Sequence, residues 1–281
     1  MKHDMSYLKD LPIAVLGGGA VGKTCAADMK LAGREVRLYS RTPKAVANLD
    51  KTGILLDGVQ RNLYGFERSG RAFLDLASTD MAEVVKGAGL IVIGITANAQ
   101  EYYLRSLVPL LEDGQVVHIF TDNYGTLLLR RFMREAGCTK KVIVGGWSSA
   151  PYGTRLETIG GFTMPHVGAK YRAITLRGAT QPMTDIEDFL ESAKYLPCMD
   201  AVTKGDGPVA GDTVLDIGFS NVNPVIHVPA SVLGVSSMEN WSSIYGNDPD
   251  SYSMYSHGLC PSICRVQYQF YREECDIADA I

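Results

Sequence analysis

The chain has 281 residues, of which 46% are apolar and 21% are charged. These proportions are typical of a globular protein, and the length is sufficient for two domains. The formal net charge of -4 argues against a nucleic-acid partner, because contact with a phosphate backbone needs a basic surface. No apolar run approaches the ~20 residues of a membrane span, so no membrane partner is predicted.

The N-terminal segment and the cysteines indicate a cytoplasmic protein. Residues 1–10 carry several charges and lack the apolar core of a signal peptide. The six cysteines are scattered along the chain, which fits reduced thiols better than a disulfide framework. We therefore expect a cytoplasmic location.

Short apolar strands alternate with amphipathic helices as far as residue 146. The pattern predicts strands over residues 12–16, 35–39, 90–93, 115–119 and 141–144, and helices over residues 20–31, 81–86, 97–111 and 126–136. Repeated strand–helix–strand units of this length indicate a doubly wound parallel sheet. Extended segments between residues 152 and 176 predict a small antiparallel addition to it.

The periodicity changes near residue 185. A helix is predicted over residues 185–195 and another over residues 262–280, the second with Ile263, Val266, Phe270 and Ile277 on one face. We therefore predict an α/β domain over residues 1–185, followed by a smaller, mostly α-helical domain over residues 186–281.

A glycine-rich segment, GGGAVGKT, lies between the first strand and the first helix. Gly17, Gly19 and Gly22 form the G-x-G-x-x-G fingerprint of dinucleotide-binding folds, with Ala20 and Val21 between the last two glycines. In such folds, backbone N–H groups at the helix N-terminus face anionic oxygen atoms. The fingerprint predicts that these five residues contact a pyrophosphate.

The same segment also satisfies the P-loop pattern, which binds the phosphates of ATP or GTP through Lys23 and Thr24. A P-loop protein needs an aspartate at the end of a strand to organise Mg²⁺, and Asp122 is the only passable candidate. The strand over residues 90–93 instead ends in small residues up to Thr96, which suit a close approach of the nicotinamide half of a dinucleotide.

The end of the second strand indicates which dinucleotide is bound. Ser40 and Arg41 lie about 18 residues after Gly22, where a dinucleotide fold contacts the 2′ position of the adenosine ribose. A hydroxyl and a guanidinium suit a 2′-phosphate, whereas an acidic residue would suit a 2′-hydroxyl. The sequence therefore favours NADP over NAD. Asn123, after a later strand, is predicted to contact the nicotinamide ribose, with an Asx turn as the alternative.

Residues 219–229, FSNVNPVIHVP, resemble the S-N-V-N-P-hydrophobic-hydrophobic-H-x-P signature of the octopine/opine dehydrogenases. Residues 255–266 are similar to the family's Y-x-x-G-x-(T/S)-P-S-x-A-R-V stretch. The resemblance covers nearly the whole chain. It implies a Rossmann-type domain over residues 1–185 and a helical catalytic domain over residues 186–281. It also implies the reductive condensation of a 2-keto acid with the amine of an amino acid, in which NAD(P)H reduces an imine.

The resemblance implies that His227 is the general acid/base. An unperturbed imidazole, with a pKa of ~6.5, can both donate and accept a proton near neutral pH. Asn223 shares a helical face with His227 if the helix continues past Pro224, and its amide would orient the substrate or the nicotinamide carboxamide. Without the resemblance, His227 between apolar neighbours would be interpreted as a core histidine.

Family members continue through further helices, one of which supplies an aspartate that pairs with the histidine. The present sequence ends at Ile281, and Asp276 and Asp279 lie in a different segment. We therefore expect an apparently shortened catalytic domain, for which a homodimer is one way to complete the site. Two other functions stay open, a 2-keto-acid reductase of the ketopantoate type and a dinucleotide-binding protein without turnover. No metal site is predicted.

Overall fold

The computed structural model describes residues 4–60, 68–158, 165–171 and 175–281. Contacts between residues divide the chain into two compact units, which we call unit 1 (Met1–Gly218) and unit 2 (Phe219–Ile281). Within the described part, no helix is long and apolar enough to cross a bilayer.

The strands among the described residues are β1 (Ile13–Leu16), β2 (Val36–Tyr39), β3 (Ile54–Gln60), β4 (Gly70–Ala72), β5 (Leu76–Ser78), β6 (Leu90–Ile93), β7 (Val116–Ile119), β8 (Ile143–Trp147), β9 (Tyr152–Thr158), β10 (Pro165–Tyr171), β11 (Arg177–Thr180) and β12 (Val209–Ala210). The helices are α1 (Ala20–Leu31), α2 (Pro43–Val46), α3 (Leu49–Thr52), α4 (Met81–Val85), α5 (Gln100–Leu107), α6 (Gly125–Glu135), α7 (Ile186–Ser192), α8 (Asp200–Thr203), α9 (Val214–Phe219), α10 (Asn223–Leu233), α11 (Val235–Glu239) and α12 (Pro261–Ala280).

The main sheet of unit 1 has the strand order β12-β11-β8-β7-β6-β1-β2-β5. The neighbours from β8 to β5 pair in parallel, whereas β11 runs antiparallel to β8. Every residue of β1, β6 and β7 is buried, because helices cover both faces of the sheet. The predicted doubly wound parallel sheet is confirmed, and so is the predicted smaller, mostly helical unit after it.

Helix α1 lies between the main sheet and a second sheet with the order β4-β3-β10-β9. Because both sides of the helix are covered, all residues from Gly22 to Met29 are buried. A buried charge on this helix, Asp28, accepts a hydrogen bond of 2.7 Å from the Tyr152 hydroxyl on β9. The pairing of β9 with β10 is antiparallel, as predicted, but these strands belong to the second sheet and do not extend the main sheet, and β10 also pairs in parallel with β3.

One predicted helix is wrong in its extent. Residues 97–111 form α5 flanked by 3-10 turns over Ala97–Ala99 and Val108–Leu110. The α-helix ends before Pro109, because proline has no N–H to donate and its ring crowds the preceding turn.

The division between the units also differs from the predicted boundary between residues 185 and 186. It lies between Gly218 and Phe219, because β11 and β12 extend the main sheet and draw the intervening helices into unit 1. In particular, Phe189 of α7 is fully buried and stacks on His118 of β7 with a centroid distance of 4.5 Å.

Unit 2 contains α10 and α12, which pack against each other. The helix predicted over residues 262–280 is confirmed as α12, but of its predicted apolar face Ile263 is buried while Val266 and Ile277 are 45% and 51% exposed. Length explains the exposure of Ile277, since α10 spans about 16 Å and α12 about 30 Å at 1.5 Å per residue. Only part of α12 can therefore lie against α10.

Candidate active site

The chain reverses sharply at Gly17, directly after β1. The backbone there has φ +132°, a conformation that favours glycine, and its N–H donates to the Tyr39 carbonyl at 2.9 Å. A Cβ atom on Gly17 would lie 2.4 Å from the carbonyl oxygen of Gly94, at the end of β6. The turn therefore depends on a residue without a side chain.

Gly22 and Gly19 are glycines for different physical reasons. A Cβ atom on Gly22 would lie 1.9 Å from the Gly17 carbonyl oxygen, so the packing of α1 on the turn requires glycine. A Cβ atom on Gly19 would meet no protein atom within 4 Å. The protein itself does not need glycine at position 19, which points to a ligand that approaches the backbone there.

The N-terminus of α1 opens beside Gly19. No side chain caps the helix, and the first intrahelical hydrogen bond runs from Lys23 N to Gly19 O at 3.0 Å. The N–H groups of Ala20 and Val21 precede this bond and have no intrahelical acceptor. Together with the helix dipole, they form a site suited to anionic oxygen.

These elements line one cleft of about 450 Å³, which lies within the size range of small-molecule sites. The cleft brings together the predicted residues Gly17, Gly19, Ala20, Val21, Ser40, Arg41 and Thr96. Gly94 and Ile95, which the sequence placed beside the dinucleotide at the end of β6, also line the cleft. Further lining residues were not predicted, namely Gly18, Thr42, Ala45, Ala99 and Tyr103. Of the predicted residues, Gly22 lies below the turn and Asn123 is not part of the lining.

The end of β2 supplies the cationic side of the cleft. The guanidinium carbon of Arg41 lies 4.9 Å from the ring centroid of Tyr102, and the Arg41 N–H donates to the Tyr103 hydroxyl at 3.3 Å. Ser40 is buried, and its Oγ accepts from Thr42 N at 3.2 Å, which leaves the hydroxyl hydrogen to donate. The two tyrosines of α5 were not predicted, since no sequence rule links an aromatic pair on one helix to the end of a distant strand.

Lys23 and Thr24 are buried, although the sequence indicated ordinary first-turn residues. The Thr24 hydroxyl donates to the Ala20 carbonyl at 2.8 Å and lies 2.7 Å from the Thr154 hydroxyl of β9. Burial lowers the pKa of the Lys23 ammonium. Because neither side chain lines the cleft, the structure argues against a P-loop.

The loop after β7 holds Asn123 in the left-handed region, with φ 43°. Its Nδ2 lies 3.4 Å from the Thr121 carbonyl oxygen, so the amide contacts its own loop. The neighbouring Asp122 is buried, and its Oδ1 accepts from Thr126 N at 3.0 Å, which caps α6. Burial raises the pKa of Asp122 to about 6. A carboxylate engaged in this cap is poorly placed to organise Mg²⁺.

A second group of predicted residues lies in unit 2. Helix α10 begins at Asn223 with Pro224 in its first turn, so Asn223 and His227 share a helical face, as predicted. His227 is half-buried, and its Nε2 lies 2.7 Å from the Tyr255 hydroxyl. The Asn223 amide donates to Asn221 Oδ1 at 2.7 Å, which leaves its carbonyl oxygen free to accept.

The glycine turn, the uncapped helix and the parallel sheet are the features of a Rossmann-type fold. Residues 13–145 match the family model of ketopantoate reductase PanE/ApbA. Residues 210–281 match the family model described as NAD/NADP octopine/nopaline dehydrogenase, alpha-helical domain. The opine dehydrogenase of Arthrobacter sp. (strain 1C) is 24% identical over 269 residues, which are 95% of this chain and 67% of that protein.

Solved structures show the same fold. Octopine dehydrogenase with NADH and L-arginine matches with a TM-score of 0.58 and 16% identity, over 84% of this chain and 56% of that one. Yersinopine dehydrogenase with NADP⁺ bound matches with a TM-score of 0.60 and 15% identity, over 91% of this chain and 60% of that one. The chain thus spans 56% to 67% of the lengths of these relatives. These matches support the predicted resemblance to the octopine/opine dehydrogenase family.

Proposed function

We propose that this protein is an NAD(P)H-dependent opine dehydrogenase. The reaction joins a 2-keto acid to the amine of an amino acid, with loss of water, and reduces the resulting imine to a secondary amine. The observation that carries the proposal is the combination, in one chain, of a glycine-built dinucleotide cleft with a segment that matches the helical domain of octopine/nopaline dehydrogenases.

NADP is the preferred cofactor in this proposal. The open space at Gly19 and the free amides of α1 fit the pyrophosphate, and Arg41 with Ser40 fits a 2′-phosphate at the end of β2. The Tyr102 ring, 4.9 Å from the Arg41 guanidinium carbon, makes a cation–π contact that restricts this side chain. NADH in octopine dehydrogenase and NADP⁺ in yersinopine dehydrogenase show that both cofactors occur with this fold.

His227 moves the protons of the reaction. Loss of water during imine formation and reduction of the imine both need a proton donor near neutral pH, and an imidazole supplies one. The bound cofactor supplies the hydride. Asn223, on the same face of α10, orients the substrate or the nicotinamide carboxamide through its free amide oxygen. Asn123 contacts the nicotinamide ribose.

The test is the dependence of NADPH oxidation on an amine. The full chain is incubated with a panel of 2-keto acids, each with and without a panel of amino acids, and absorbance at the nicotinamide band is followed. We expect oxidation only when both substrates are present. Substitution His227→Ala should lower kcat by about 10² to 10⁴, whereas Val232→Ala, at an exposed position of the same helix, should leave it unchanged.

A reductase of the ketopantoate type is the second candidate, and the match of residues 13–145 to the ketopantoate reductase model favours it. It predicts full-rate oxidation with a 2-keto acid alone, a result that would overturn the opine proposal. Tight NADPH binding without turnover across the whole panel would instead support a dinucleotide-binding protein.

The remaining expectations stay predictions. Small-molecule substrates are expected as partners, and a homodimer is tested by light scattering with and without NADPH. A cytoplasmic location agrees with the free thiols of all six cysteines.

A further inference from the structure

A histidine that acts as general acid/base needs a partner that fixes which ring nitrogen carries the proton. His227 Nε2 lies 2.7 Å from the hydroxyl of Tyr255, with ring centroids 5.7 Å apart and planes at 72°. Across the described residues, this is the hydrogen bond that the His227 side chain makes, and Nδ1 has no protein partner. The geometry singles out Tyr255 as the residue that orients the ring.

The segment that carries Tyr255 is fixed on both sides. The ring of His257 lies 4.4 Å from that of Trp241, and its Nδ1 accepts from Ser253 N at 3.0 Å. On the other side of the segment, Tyr252 packs on Trp241 with a centroid distance of 5.4 Å. Aromatic packing therefore holds the backbone before and after Tyr255.

The Tyr252 hydroxyl adds a steric restraint to this segment. A Cβ atom on Gly234, just after α10, or on Gly258 would lie 3.1 Å from its oxygen. The tyrosine thus fits between two positions that have no side chain, which keeps the segment close to the end of α10.

The helix that carries His227 is fixed as well. Gln267 of α12 donates through Nε2 to the carbonyl of Ile226 at 2.8 Å. Because this carbonyl is adjacent to His227 in the chain, the bond limits rotation of α10 against α12. The two partners, 28 residues apart, are therefore brought together by the fold of unit 2 itself.

We propose that Tyr255 is the positioning residue of His227, an inference that rests on the proposed role of His227. A phenol is both a donor and an acceptor. Its oxygen accepts from Nε2–H in both the neutral and the charged ring, which keeps the lone pair of the neutral ring on Nδ1. Nδ1 is then the atom that exchanges a proton with the substrate.

The test is the tautomer of His227 in the full chain labelled with ¹⁵N-histidine. Its signals are assigned by their loss in His227→Ala. We expect wild type to show the Nε2–H form, and Tyr255→Phe, which keeps the ring but lacks the hydroxyl, to shift toward the mixture of an unpaired histidine. Tyr245→Phe is the control, since Tyr245 is exposed like Tyr255 and its ring lies 6.0 Å from that of Trp241. Identical His227 signals in wild type and Tyr255→Phe would overturn the proposal.

Kinetics separate positioning from simple packing. We expect Tyr255→Phe to lower kcat about threefold to tenfold, the value of one hydrogen bond, with KM for both substrates nearly unchanged. A changed tautomer with an unchanged kcat would also overturn the proposal. The tautomer is measured without substrate. The NMR result therefore tests the pairing of Tyr255 with His227 even if the protein does not catalyse the proposed reaction.

Discussion

The two candidate sites are built from different parts of the chain. The cleft in unit 1 is made by backbone, since Gly17, Gly19 and Gly22 place amides and open space where side chains would block them. The site in unit 2 is made by side chains, and Tyr255 is 60% exposed while its partner His227 is half-buried. The first site is therefore sensitive to a single added methyl group, and the second to the loss of a single hydroxyl.

The largest expected effect is the loss of stability caused by Gly22→Ala. Its Cβ would overlap the Gly17 carbonyl oxygen at 1.9 Å, so we expect unfolding in urea to show a loss of about 3 kcal/mol or more. Gly19→Ala is the matched control, because its Cβ meets no protein atom, and should change stability by less than about 0.5 kcal/mol. Equal losses in both variants would contradict the steric account of the turn.

An effect of intermediate size is expected on cofactor affinity when the Arg41 guanidinium is removed. Arg41→Ala should weaken NADPH binding about tenfold to a hundredfold by removing a charge-assisted contact, and should leave NADH binding nearly unchanged. Lys44→Ala removes the same charge from an exposed position three residues along the chain that does not line the cleft. Calorimetric titration measures the affinity of each variant for both cofactors. An equal loss of affinity for NADPH and NADH in Arg41→Ala would contradict the assignment of Arg41 to the 2′-phosphate.

The smallest expected effect is on the pH dependence of stability, and it concerns His118 in unit 1. Unlike the half-buried His227, this histidine is fully buried. Its Nδ1 accepts from the Trp147 indole at 3.2 Å, its Nε2 lies 3.0 Å from the Ser192 hydroxyl, and burial lowers its pKa to about 3. The unfolded chain therefore binds a proton that the folded chain does not, and stability falls as the pH drops from about 6.5 toward 3.

The expected slope from His118 is at most about 1.4 kcal/mol per pH unit. Asp122, whose pKa is raised to about 6, has the opposite sign, because its contribution is present at low pH and is lost as the pH rises through 6. Urea unfolding at pH 7, 6 and 5 in wild type and His118→Gln isolates the histidine. An unchanged slope in the variant would show that His118 does not carry this dependence.

Much of the cleft in unit 1 could be predicted from the sequence, because local steric requirements determine it. The spacing of Gly17, Gly19 and Gly22 follows from a turn, an open approach and a helix packed on a strand, all of which are local. Arg41 could be placed because the end of a parallel strand has a fixed relation to the glycine turn. Tyr102, by contrast, reaches Arg41 from a helix about 60 residues away, and no local pattern encodes that contact.

The site in unit 2 could be predicted only in part, because some of its contacts depend on tertiary packing. The helix with Asn223 and His227 on one face was predicted from spacing, but the hydrogen bond to Tyr255 depends on a segment fixed by Trp241 and His257. The division after Gly218 depends on the pairing of β11 and β12 with the main sheet, which is non-local. Pairings that depend on tertiary packing leave no periodic signal.

The most direct test of the account is the titration of NADPH into wild type and Gly19→Ala. If the space at position 19 is kept for a pyrophosphate, the variant should bind NADPH at least about tenfold more weakly at unchanged stability. Wild type should show no MgATP binding that depends on Lys23. Equal NADPH affinity in wild type and Gly19→Ala, or MgATP binding by wild type that Lys23→Ala abolishes, would contradict the assignment of the cleft to a dinucleotide.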